Sequence, residues 1–89
     1  MNVEVVIVVS VPPTEKDLDD LSFAASRLTN KQDSTAVNVK AENDQFLLAT
    51  TFTMKTAAQY KVVDHISKEF EFSTVGLEGY QEMIISFPW

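Results

Sequence analysis

From Val3 to Val11 the chain reads VEVVIVVSV, and its central positions are apolar whichever way they point. Successive side chains of a strand project to opposite faces, so Val3, Val5, Ile7, Val9 and Val11 line one face and Glu4, Val6, Val8 and Ser10 the other. An edge strand over water has no need of valines on both sides. This one belongs in the middle of a sheet. Pro12 and Pro13 end it, because neither can donate a ladder hydrogen bond. What covers the second face is then the central question, since 89 residues form one domain, 1–89, with room for a single core. A chain this short buries only about 60–65% of its unfolded surface, and oligomerisation is a common remedy.

The remaining elements follow from capping and periodicity. Thr14 reads as an N-cap with Asp17 three residues on, and Glu15, Asp17, Asp19 and Asp20 suit the positive end of a helix running to about Leu28. Leu18, Leu21, Ala24, Ala25 and Leu28 form its apolar stripe, with Phe23 nearly opposite. A polar loop, Thr29 to Ser34, leads to a strand over about Thr35–Ala41, with Val37 and Val39 inward and Asn38 and Lys40 outward, as suits an edge. Glu42, Asn43 and Asp44 turn the chain into the more apolar strand QFLLATTFTM, Gln45–Met54, completing a hairpin. Thr56 and Gln59 cap a second helix ending near Phe70, with Val62, Val63, Ile66 and Phe70 inward, Gln59 and Tyr60 at the margin and His65 outward. Glu71 to Gly79 turns the chain back. The last strand, about Tyr80–Phe87, sets Met83, Ile85 and Phe87 on one face and Tyr80, Ile84 and Ser86 on the other.

Strand, helix, strand, strand, helix, strand, joined by right-handed crossovers, interleave as a split βαβ. The expected fold is α+β: a ferredoxin-like βαββαβ two-layer sandwich, a four-stranded antiparallel sheet with two helices on one face. The first and third strands lie centrally in that arrangement, in keeping with their apolarity. The superfold carries no function by itself. The loop after the first strand lacks the arginine with which acylphosphatases hold phosphate, the Cys-x-x-Cys of metal-carrying relatives and the Pro-Gly of ACT-like domains. No family is assigned.

Charge and composition narrow the function classes. Thirteen acids against seven bases give a net charge of −6, which opposes binding to a phosphate backbone. Tyr80 is the single aromatic expected on the open sheet face, where RNA-recognition domains stack bases. Nucleic acid is not an expected partner. The absence of cysteine rules out disulfides and thiolate chemistry in this chain. His65, the one histidine, falls on a convex helix face with Lys61 and Lys68, away from any cleft that would tune a general base. The acids near Asp17 and the pair Glu69 and Glu71 lack the loop spacing of a calcium site. No catalytic residue, metal ligand or cofactor is assigned. The apolar start is far short of the roughly 20 residues of a membrane span and has no basic segment before it, so a soluble cytoplasmic protein is expected.

The open sheet face is the leading candidate surface, an apolar patch of Val6, Val8, Leu47, Ala49 and Ile84 that a second copy would cover. Phe23 on the acidic helix is a second candidate, either a binding anchor or a ring tucked under the loop at Thr29–Ser34 or the tail at Trp89. These surfaces suggest a small non-catalytic binding, regulatory or assembly module, working as a homodimer on a protein or small effector. The competing reading is a dimeric α/β-barrel-type enzyme or ligand binder, whose cavity between sheet faces draws on Ser10, Asn38, Thr51, Thr53 and Tyr80.

Overall fold

A computed structural model describes residues 2–29, 36–53 and 59–87, with side chains from Val63 onward in the last stretch. Its elements are β1 (Asn2–Val9), α1 (Glu15–Leu28), β2 (Val37–Glu42), β3 (Gln45–Thr53), α2 (Gln59–Thr74) and β4 (Tyr80–Ser86). The four strands make one antiparallel sheet in the order β2-β3-β1-β4. With the two helices this is an α+β fold whose central strands, β1 and β3, are the two most apolar.

Alternation along β1 decides which face carries the core. Val3, Val5, Ile7 and Val9 are at most 1% exposed. They stand beside Phe52, Thr50, Leu48 and Phe46 of β3, and Val5 and Ile7 also stand beside Ile85 and Met83 of β4. Leu21, Ala24, Ala25 and Leu28 of α1 and Ile66 and Phe70 of α2 join the same cluster, so both helices lie on this face. The two alanines leave α1 little side chain to hold it off its neighbours. Phe70 stacks on Phe52 with ring centroids 6.2 Å apart.

Local chemistry sets the element ends. The Thr14 hydroxyl accepts from the Asp17 N–H at 3.2 Å and the Asp17 carboxylate accepts from the Thr14 N–H at 3.0 Å, so the shorter acid completes the capping box. Thr14→Ala is expected to cost about 1 kcal/mol, read as a lowered urea midpoint at unchanged slope. Asn43 and Asp44 both take positive φ, 50° and 62°, the signature of a two-residue type I′ hairpin turn. Glu42 is therefore the last residue of β2, paired with Gln45, and β2 begins at Val37, while Thr35 lies outside the described residues.

The second helix departs from expectation. It continues one turn past Phe70 to Thr74, because Thr74 is itself buried and its hydroxyl donates to the Glu71 carbonyl at 2.9 Å. The Ser73 hydroxyl donates to the Asp20 carbonyl of α1 at 3.4 Å, a further tie on that added turn. Val63, expected inward, is 40% exposed. The buried positions Ile66, Phe70 and Thr74 step by four residues, and each step overshoots a full turn by about 40°, so the stripe drifts and leaves Val63 at its margin. The Thr56–Gln59 cap, the inward or marginal placement of Gln59, Tyr60 and Val62, Met54, the loop from 30 to 35 and the Pro88-Trp89 tail lie outside the described residues.

Candidate functional site

The face of the sheet turned away from the helices is built from the other parity of each strand. Val6 stands between Ala49 of β3 and Ile84 of β4, with Asn38 of β2 beyond Ala49. In the next row Val8 stands between Leu47 and Glu82, with Lys40 beyond Leu47. Glu4 lies between Thr51 and Ser86 at one end, and next to it the Thr53 hydroxyl donates to the Asn2 side-chain carbonyl at 2.8 Å. The five candidate aliphatics therefore share two adjacent rows framed by polar groups.

Their exposures differ. Ile84 is 46% exposed, Val6, Leu47 and Ala49 are half-buried, and Val8 is only 3% exposed. Reading Val8 as part of an open patch is thus corrected: it is covered within its own chain. Beside it the pairing of β1 with β4 shifts register. Val8 pairs with Glu82 and Val9 with Tyr80, so Gln81 is skipped. The bulge turns Gln81 toward Gln45, whose Nε2 donates to Gln81 Oε1 at 2.6 Å. Gln45 shares the parity of Leu47 and Ala49, and since Val9 pairs with Phe46 this link crosses β1 at the level of Ser10 on the open face.

The candidate pocket residues are spread along the sheet. The Ser10 N–H and hydroxyl both donate to the Gly79 carbonyl, at 2.9 and 3.4 Å, beside exposed Tyr80 at one end of β1. Thr51 pairs with Glu4 toward the other end, and Asn38 lies between them on the β2 edge. Six residues of strand separate the levels of Ser10 and Glu4, about 20 Å. Within one chain these side chains do not converge.

On the helix layer, Phe23 is 61% exposed and carries the Arg27 guanidinium 4.7 Å from its ring centre. Arg27 also pairs with Glu69 of α2 at 3.3 Å, so the ring sits beside the bridge that ties the helices together. The alternatives in which Phe23 tucks under the loop or the tail involve residues outside the described ones. Phe72 and Val75, 83% and 86% exposed, are apolar surface that the expected end at Phe70 had hidden. A helix continued through Phe72 turns it about 200° from Phe70, so one of the two had to face out.

His65 is exposed, and its neighbour Asp64 pairs with Lys68 at 3.1 Å. Among the described residues no three His, Cys, Asp or Glu side chains are placed to share a metal ion, and no helix is long and apolar enough to cross a membrane. No protein-family model, curated protein or solved structure matches the chain.

Proposed function

We propose that this chain is a small non-catalytic binding, regulatory or assembly module of the ferredoxin-like βαββαβ class, acting in the cytoplasm as a homodimer that closes its open sheet face. The antiparallel order β2-β3-β1-β4 with both helices on one core supports the fold name. A single observation carries the function: Val6, Leu47, Ala49 and Ile84 form an aliphatic block on the side without helices, in two rows across the sheet. Apolar surface gathered in this way marks an interface, and two-fold homodimers are the commonest assembly. The net charge of −6 favours a neutral or self-complementary contact over a nucleic acid. An α/β-barrel-type dimer with a ligand between its faces is the alternative, and it draws on the same surface. The wide spacing of Ser10, Thr51 and Tyr80 favours close apposition instead.

Light scattering on the eluting protein across a concentration series tests the proposal. A mass near twice 10.0 kDa is expected. Ile84→Lys should raise the dimer dissociation constant at least about tenfold while leaving the circular dichroism spectrum unchanged, because Ile84 is already half open to water. Val8→Lys is the wrong probe: it would place an amine in a site buried within the chain and weaken the fold itself. A wild-type chain that stays monomeric at every concentration overturns the proposal.

A further inference from the structure

We infer that the second copy docks about a two-fold axis running along the strands between β1 and β3, in a register that sets Lys40 of each copy against Glu82 of the other. The inference rests on the homodimer reading and adds the geometry of the contact.

Lys40, Leu47, Val8 and Glu82 form one row across the open face, with the cation on the β2 edge and the anion on the β4 edge. Rotation about an axis lying in the face along the strands reverses left and right but keeps each row at its height. The cationic end of the row then lies under the partner's anionic end, twice per dimer. At the centre of the row Leu47 lies over the partner's β1 at the level of Val8, which is already buried within its own chain, and the next row places Ala49 against the partner's Val6. Glu4 meets the partner's Thr51, a hydroxyl, instead of a second carboxylate. Packed sheets lie about 10 Å apart with strands crossing by about 30°, a gap that facing lysine and glutamate side chains span from the edges.

The other in-plane axis, perpendicular to the strands, is disfavoured by the same charges. It keeps each strand over its own copy, so Lys40 lies over the partner's Asn38 and within about 7 Å along the strand of the partner's Lys40. Glu82 likewise lies over an isoleucine and close to its own symmetry mate. Charge placement in an interface sets register and suppresses wrong pairings. Here it selects the axis along the strands. The sheet face measures roughly 20 by 25 Å, a footprint of the same order as the about 800 Å² per partner of a specific interface.

Lys40 already has a partner within its own chain, since its Nζ lies 3.6 Å from Glu42 Oε2. That pair is exposed, and such pairs contribute little. Its presence decides the test. Glu82→Lys leaves the Lys40–Glu42 pair in place, so its effect is read across the interface. Lys40→Glu and Glu82→Lys are each expected to raise the dimer dissociation constant about tenfold, since each creates two like-charge contacts. The double variant, Lys40→Glu with Glu82→Lys, is expected to return to within about threefold of the wild-type constant, the recovery that defines a coupled pair. The wild-type constant should also weaken with added salt. Single variants that leave the constant unchanged, or a double variant that fails to recover, overturn this register. If Ile84→Lys still dissociates the dimer in that case, the homodimer reading survives alone. A wild-type monomer removes both.

Discussion

Phe70→Ala is expected to lower the unfolding free energy by about 3–5 kcal/mol, the range for emptying a buried phenylalanine site. Phe70 is fully buried and is the largest enclosed side chain among the described residues. Its ring stacks on Phe52 at a 22° interplanar angle, joining α2 to β3. Removing it takes away both the burial of the ring and the packing of its partner, and neighbours in a sheet sandwich relax only in part. A domain of this size holds about 5–15 kcal/mol in total, so the loss is a large share of it. Phe72→Ala is the matched control: the same residue type two positions on, 83% exposed, is expected to change stability by no more than about 0.5 kcal/mol. Urea unfolding of both variants, at one protein concentration so that any association contributes equally, reads the difference. Equal midpoints for the two would mean that α2 is not anchored through Phe70.

The contrast between these two phenylalanines also shows where sequence reading reaches and where it stops. Local rules read β1, the α1 stripe and the hairpin turn well, because each depends on residues within one element, whereas Val39 of β2, expected inward, is 44% exposed. Valine alternation, the Thr14–Asp17 box and the Asn43-Asp44 turn all carry their own signal. The strand order follows as well, since the apolarity of each strand reports how many neighbours cover it. Three features rest on contacts distant in sequence, and they were not legible. The last turn of α2 is held by Thr74 in the core and Ser73 against Asp20. Val63 lies at the margin of a stripe whose drift depends on where the helix meets the sheet. Val8 is buried on the open face, next to the point where β4 skips a residue. Periodicity placed Val8 on the correct face, but how deeply it is buried there depends on neighbouring strands that no pattern within β1 can announce. The candidate surface was therefore legible as a set of positions, while its accessible part, centred on Ile84, Val6, Leu47 and Ala49, required the register.

Gly79→Ala is expected to destabilise the fold by about 2–5 kcal/mol, from two costs that add. Gly79 sits at φ 75°, where an L-residue costs about 1–2 kcal/mol. A Cβ there would also lie 2.7 Å from the Ser10 hydroxyl, 2.9 Å from a Val11 methyl and 3.0 Å from the Val11 nitrogen. The hydroxyl can rotate away, but the backbone nitrogen cannot, so the crowding adds about 1–3 kcal/mol of its own. The same move strains the link from the Ser10 N–H to the Gly79 carbonyl, which carries the β1–β4 pairing past the end of β1. Gly76→Ala, three residues earlier, meets nothing within 4 Å and has no left-handed φ to hold. It is expected to be neutral or to stabilise by up to about 1 kcal/mol, through the smaller freedom of the unfolded chain. Because the strain enters beside the bulge, Gly79→Ala should loosen the Gln45–Gln81 link as well. Amide exchange at Val8 and Val9 is expected to accelerate by more than the global loss of stability, whereas in Gly76→Ala it should not. Uniform acceleration across the sheet would mean that the turn at Gly79 sets stability without setting the register of β4.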